Sequence, residues 1–475
     1  MSAGCRNGGP APDSTAVRQP YAGTKVHVVL PSELELASAW TPGFEDWAAS
    51  AAASYSVSEV ETSNSAIAEE HWLQALQAET PTLVVLPTHA VNRLLADDLA
   101  APIPEAVLAA DAIQWNSVPP AVRKALGMQG DRPAALAVTS ASLVAFYRKD
   151  LLSAAGREIP QTWEEYDKLV ATIAEWAPGH VAVEPRGPNS LATLFLARAA
   201  AGAKTPTQYS FELDVSTGDP LISSAAFVRA LEAMTRLSSH LTGQSGTASF
   251  ADCTSAALSG KAAMGITAFG ADAGLAGDAV SPGEPPAVMD ADLEFTPLPG
   301  SREVYNRDRA SWDTLDGNQL NRPALCGFGG VCVCVMKSAS DIEQEAAWDL
   351  WGGLLAIQDE GIVSVVPGIP VRATGLADAI KRAAQTLPAA AQRSLEQAIS
   401  ANHQNPLLVA ELPCAGREQL LAVLADSVRQ ALDEGADAQH ALDQAAGSWS
   451  GLLDELGRRR VLNSYRRRLG LSPLP

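Results

Sequence analysis

At 475 residues the chain is too long for one compact core, so two or three lobes are expected. Apolar residues at 47% and charged residues at 19% suit a folded chain and exclude wholesale disorder. Lys and Arg number 34 against 54 Asp and Glu, a formal charge of −20, which argues against non-specific phosphate binding and nucleic-acid partners.

The first 23 residues are rich in Gly, Pro, Ser and Thr and read as a flexible tether. KVHVVL (Lys25–Leu30), bounded by Gly23 and Pro31, reads as a strand. Alanine-rich helical sequence follows from about Phe44, then a strand near Ser56–Glu61 and a helix carrying His71, Trp72 and Leu76. PTLVVLP (Pro81–Pro87) is a continuous apolar run, as in a strand buried on both faces, and a helix follows over about 90–98. This alternation predicts an α/β fold of βαβ units on a parallel sheet. Ligands gather beyond the carboxyl ends of such strands, which points to Ser32 and Glu33 after the first and Thr88 and His89 after the third.

ALAVTSASLVAFY (Ala135–Tyr147) is long for one strand and carries Thr139, Ser140 and Ser142 in its middle, so it is expected to cross between lobes. Gly156 ends a short helix after it, and Thr162 with Glu165 forms a capping box for the next. HVAVEPRG (His180–Gly187) reads as a strand running into a polar loop with Glu184 and Arg186. A helix over 225–238, a second ending near Gly260, the strand AAMGIT with Phe269 at its end, and DLEFTPLPGS follow. Residues 302–326 are polar and irregular around Trp312 and read as a long surface loop. GFGGVCVCVMK returns to strand; Cys332 and Cys334 share one face and are expected to pack as small hydrophobes. Pairings among Cys253, Cys326 and Cys414 stay open. A helix runs through about 357, the chain is mainly helical after Pro367, and the arginine runs at 458–460 and 466–468 read as a solvated helix face.

No P-loop, GxSxG or HExxH pattern occurs, and no close set of Cys and His suits a metal. No cofactor, metal or catalytic residue is therefore expected. No apolar run approaches the ~18 residues of a spanning helix.

Several motifs in order resemble the extracellular solute-binding proteins of bacterial ABC importers, in the branch that binds maltose and other oligosaccharides. They are FYRKDL with Gly156, PQTWEEY, GKAAMGI (Gly260–Ile266), FTPLPGS (Phe295–Ser301), the glycine-rich strand from Gly327, GIPVRAT (Gly368–Thr374) and ALDEGADAQHALDQAAGSW (Ala431–Trp449). Arg148, Val331 and Thr82 depart from the family pattern. The resemblance implies a two-lobed periplasmic-binding-protein-like fold of type II. Each lobe would be a mainly parallel sheet flanked by helices, with hinge strands crossing between them. The expected division is a tether at 1–23, lobe one at 24–138 and 292–357, and lobe two at 139–291 and 358–475.

The resemblance implies a small polar solute, sugar or similar, held between the lobes by hinge closure and passed by a monomer to ABC permease subunits. Cleft candidates are Ser32, Glu33, Thr88, His89, Ser140, Ser142, Glu184, Arg186, Phe269, Trp312 and Arg372. Aromatic residues are only 5% of the chain, so a small solute is as compatible as an oligosaccharide. SAGC at Ser2–Cys5 resembles the end of a lipoprotein signal, which implies a periplasmic or extracellular protein anchored through a lipid on Cys5. Two other readings keep the fold: a solute sensor without transport, and an enzyme built on the scaffold.

Overall fold

The structure, a computed structural model, describes residues 20–62, 68–241, 247–271, 291–356, 366, 368–372 and 375–475; Cys5 lies outside them. The chain opens with β1 (Lys25–Pro31), α1 (Leu36–Ala51), β2 (Ser54–Val60), α2 (Ala68–Glu79), β3 (Leu83–Pro87) and α3 (Thr88–Ala96). β1 lies between β2 and β3, parallel to both, so all three carboxyl ends share one side. Alternation along β1 sends Val26, Val28 and Leu30 to a core with Trp40, Phe44 and Trp351, and Val29 to a second core on the other face.

The stretch Ala135–Tyr147 divides into β4 (Leu136–Ala137), β5 (Thr139–Ser140) and β6 (Ser142–Arg148). β4 belongs to the first sheet and β6 to a second, so this segment does cross between lobes. The second lobe continues with α4 (Trp163–Ala171), β7 (Val181–Val183), α5 (Pro188–Ala203), α6 (Ala225–Ser238), α7 (Phe250–Leu258), β8 (Ala262–Phe269) and β9 (Leu293–Thr296). Thr162 caps α4 through the predicted box with Glu165. The second sheet has the order β9-β6-β8-β7, with β6 antiparallel to both neighbours and only β7 and β8 parallel.

That order corrects the expected division at 292. β9 pairs with β6 of the second lobe rather than returning to the first. The expected loop 302–326 instead holds a hairpin, β10 (Glu303–Asn306) and β11 (Ser311–Thr314), and a strand Ala324–Cys326 that pairs with Leu408–Ala410. The return comes with β12 (Val331–Val335), antiparallel between β3 and β4, giving the order β2-β1-β3-β12-β4. α8 (Asp341–Ala356) then covers the first core. All five described cysteines are free and buried; Cys332 and Cys334 do sit in one core.

β13 (Ile369–Pro370) pairs with β5 at the crossing. α9 (Ala389–Gln404), α10 (Arg417–Glu434) and α11 (Ala438–Glu455) pack on the second lobe, and α12 (Arg458–Arg468) ties the lobes together. Val461 and Tyr465 of α12 enter the second-lobe core, while Arg468 donates to Asn92 Oδ1 (2.9 Å) and to the Ala125 carbonyl (2.9 Å) of the first. The arginine run is thus not all solvated: Arg468 is 5% exposed, and burial pushes its pKa down to about 10. Long-range carbonyls and Asn92 form the socket, and no local spacing announces that.

Candidate functional site

A cleft of about 580 Å³ separates the carboxyl ends of β1, β2 and β3 from the N-termini of α5, α7 and α10. Both sides are favourable places for polar groups: strand ends release the chain into loops, and helix starts leave backbone N–H groups unpaired. The first lobe contributes Glu33, Thr62 and His89; the second contributes Ser190, Ser249, Arg417 and Glu418. Phe250 and Phe328 add an aromatic pair with ring centroids 6.2 Å apart, and Gly270, Gly329 and Gly330 line the crossing between the lobes.

The charges in the cleft are already committed. The Thr62 backbone N–H donates to Glu33 at 3.1 Å and its hydroxyl donates to the same carboxylate. Arg417 donates to Glu411, which is fully buried, and to Glu418. Burial raises the Glu411 carboxyl, and Arg417 only partly offsets it. At Glu418 burial also pushes upward, but Arg417 and then His89 outweigh it and hold the carboxyl below its ordinary value. Burial lowers the His89 pKa, so the ring is neutral at neutral pH. Its Nε2 is enclosed without a hydrogen-bond partner.

Of the residues expected from the sequence, the cleft brings together Glu33 and His89. The others are placed elsewhere. Ser32 bonds its neighbour Glu33 at 3.3 Å. Thr88 is fully buried and its hydroxyl donates to the Gly329 carbonyl. Ser140 is bonded to His403 Nε2 at 2.8 Å, and Ser142 accepts from Asn402 at 2.9 Å. Glu184 and Arg186 do not pair with each other. Glu184 is buried 3.7 Å from Arg198, and Arg186 reaches Asp433 at 3.5 Å. Phe269 packs edge-on against Phe295 inside the second lobe. Trp312 lines a different cavity, and Arg372 lies half-buried just after β13, where desolvation lowers its pKa. For Thr88, Ser140, Ser142, Glu184 and Arg186 a non-local partner meets the polar group that sequence position suggested for ligand.

Thr62, Ser249, Phe250, Phe328, Arg417 and Glu418 were not anticipated. A signal existed for Ser249: it caps α7 in a box with Asp252, and a helix start is where polar side chains collect. Arg417 and Glu418 carry no such signal, because charges at a helix start look alike whether they face water or a cleft.

Residues 49–359 match the model of a family described as bacterial extracellular solute-binding protein. The chain belongs to that family. No curated protein matches it in sequence. Among solved structures, maltose-bound MalE3 of T. maritima is 16% identical with a TM-score of 0.57, over 91% of this chain and 100% of that one. The sugar-binding protein MalE from the phytopathogen Xanthomonas citri is 18% identical with a TM-score of 0.60, over 91% and 98%. An ABC transporter solute-binding protein of Agrobacterium radiobacter K84 in complex with ribitol is 16% identical with a TM-score of 0.59, over 91% and 100%. At these identities the likeness is one of fold, and it bears out the two-lobed architecture. This solute-binding protein has no helix, among the described residues, long and apolar enough to cross a membrane.

The segment that carries Arg417 into the cleft is held from behind. Leu412 has φ of 39°, a left-handed conformation costly for a branched residue, and its N–H donates to Glu212 Oε1 at 3.1 Å. Tyr465 donates to the other Glu212 oxygen at 2.8 Å. Burial pushes the Glu212 carboxyl up to about 7; the Leu412 N–H and Tyr465 oppose that shift, Glu411 adds to it and Arg417 opposes it. A folded pKa above the unfolded value favours the protonated fold. Its contribution is full below the unfolded pKa of about 4.5 and is lost as pH rises to about 7. Glu212→Gln is expected to flatten unfolding free energy between pH 4.5 and 7.5, read from urea melts at several pH values. An unchanged pH profile would show that protonation of Glu212 does not contribute to the stability of the fold.

Proposed function

We propose that the chain captures a neutral, hydroxyl-rich solute of the sugar or polyol class between its lobes and hands it to the permease of an ABC importer. The carrying observation is the state of Arg417. Among the described lining residues it is the one guanidinium, and Glu411 and Glu418 already hold it. An anionic solute would meet two cleft carboxylates, Glu33 and Glu418, and no unpaired cation. A sugar instead brings donors for those carboxylates, an acceptor or donor for the neutral His89 ring, and an apolar face for Phe250 and Phe328. The maltose and the ribitol bound in two of the structural relatives point the same way.

Capture works by closure about the crossing segments near Ser140, Gly330 and Ile369, since a solute touching both lobes favours the closed state. The chain acts as a monomer outside the cytoplasm, anchored through Cys5. A mature chain whose intact mass lacks a lipid on Cys5 would refute the anchor.

Calorimetric titration against monosaccharides, disaccharides and polyols tests the ligand class. Saturable binding of a neutral member is expected, and His89→Ala should weaken it about tenfold by removing one enclosed hydrogen bond. A panel in which only sugar phosphates or carboxylates bind would overturn this reading.

A further inference from the structure

α5 serves two cavities. Ser190 at its start lines the cleft, whereas Arg198, Ala201 and Gly202 line a second cavity of about 300 Å³ on the second lobe. At 1.5 Å per residue, roughly 12–18 Å of helix separates the two. The second cavity lies between α4, α5, α6 and the β10–β11 hairpin, with alanines 201, 226, 230 and 233 among its lining. Trp163 and Trp312 form walls, and each carries a guanidinium on its ring. Arg198 sits 4.5 Å from the Trp163 centroid and Arg229 sits 4.1 Å from that of Trp312.

The carboxylates here are engaged. Glu164 and Glu303 both hold Arg229, at 2.9 and 2.7 Å, and Asp167 accepts from Arg198. What remains unmet is a set of donors. Trp163 Nε1 and Arg198 Nη1 are buried without a hydrogen-bond acceptor, on side chains of residues 6% and 3% exposed. Glu184 forms an ion pair with Arg198 Nη1 at 3.7 Å, which is beyond hydrogen-bond distance, so the N–H itself has no acceptor. Arg236 is exposed in the cavity lining and forms no ion pair among the described residues.

We infer that this cavity is a second binding site, for a small organic carboxylate with a flat apolar body. An oxyanion answers two or more donors at once, with charge assistance from a guanidinium. The alanines and indoles accept the apolar part, which is the composition of a small-molecule site. A neutral polyol fits less well, because it brings no negative charge to the Arg236 guanidinium and no flat apolar face to the indoles.

Benzoate is the probe, titrated into the full chain by calorimetry, with benzyl alcohol as its neutral counterpart. Saturable one-to-one binding is expected, with benzyl alcohol at least about tenfold weaker. Arg236→Gln, at an exposed position that does not endanger folding, should weaken benzoate about tenfold, and Trp163→Phe should weaken it by a similar factor. His89→Ala should leave benzoate affinity unmoved, which separates this site from the cleft. Absence of saturable benzoate binding would overturn the inference. So would parental affinity in both Arg236→Gln and Trp163→Phe, or a loss that follows His89→Ala instead.

Discussion

Arg417→Leu is expected to lower the unfolding free energy by about 3–5 kcal/mol and to abolish solute binding. Arg417 is 8% exposed and is the counter-ion of Glu411, which is fully buried, and of Glu418. Without the guanidinium, two enclosed carboxylates face each other, and each must take up a proton or stand as an uncompensated charge. Burial already raises Glu411 with the arginine in place, so the loss is felt there first. The double change Arg417→Leu with Glu411→Leu separates charge from packing. Replacing a whole buried pair by apolar groups is close to neutral, so much of the lost stability should return while binding does not. Urea melts followed by tryptophan fluorescence read the first effect and titration reads the second. A single variant within about 1 kcal/mol of the parent would mean the pair behaves as an exposed one.

The elements legible in the sequence are those fixed by local or continuous patterns. β1, β3 and β12 are apolar runs, and the α4 capping box needs only four consecutive residues. The crossing at Ala135–Tyr147 was legible from hydroxyls set in an apolar run, and Thr139 and Ser140 do form the short hinge strand. β9 was not legible as a second-lobe strand, because DLEFT alternates equally well against either sheet, and only pairing with β6 decides. The β10–β11 hairpin was hidden because neither strand has a fully buried face to leave a periodic signature.

At the cleft, position after a strand pointed to Glu33 and His89, which line it, and to Glu184, which is buried beside Arg198; Ser140 and Ser142, expected from their place in the crossing segment, are bonded to His403 and Asn402. A polar side chain that will meet His403, Asn402 or Arg198 some 14 to 263 residues away along the chain looks, in sequence, like one that will meet a ligand. The same blindness hid Arg417 and Glu418. Their roles come from where α10 starts relative to the first sheet, and nothing local encodes that.

Gly330→Ala should cost more than about 2 kcal/mol and change the angle between the lobes, because two penalties fall on one atom. Gly330 has φ of 90°, which a side chain rarely adopts. Its added Cβ would also stand 2.4 Å from Ser140 Cα and 2.4 Å from the Thr139 carbonyl oxygen. Both are backbone atoms of the crossing strand β5, so no flexible side chain can give way. The neighbouring segments repeat the device: a Cβ on Gly270 would meet the Ser140 oxygen at 2.5 Å, and one on Gly368 would meet Thr139 Oγ1 at 2.7 Å. Three separate stretches thus reach the crossing through glycine, and the backbones touch where the lobes pivot. Gly317→Ala is the control, with φ of 57° but open space around the added atom. It should pay only the conformational part, about 1 kcal/mol, and leave the lobe angle alone. Equal losses in the two variants would show that backbone conformation alone fixes Gly330. A larger loss at Gly330, with a shifted radius of gyration in small-angle scattering, would show that close approach of the crossing segments sets the resting angle of the hinge.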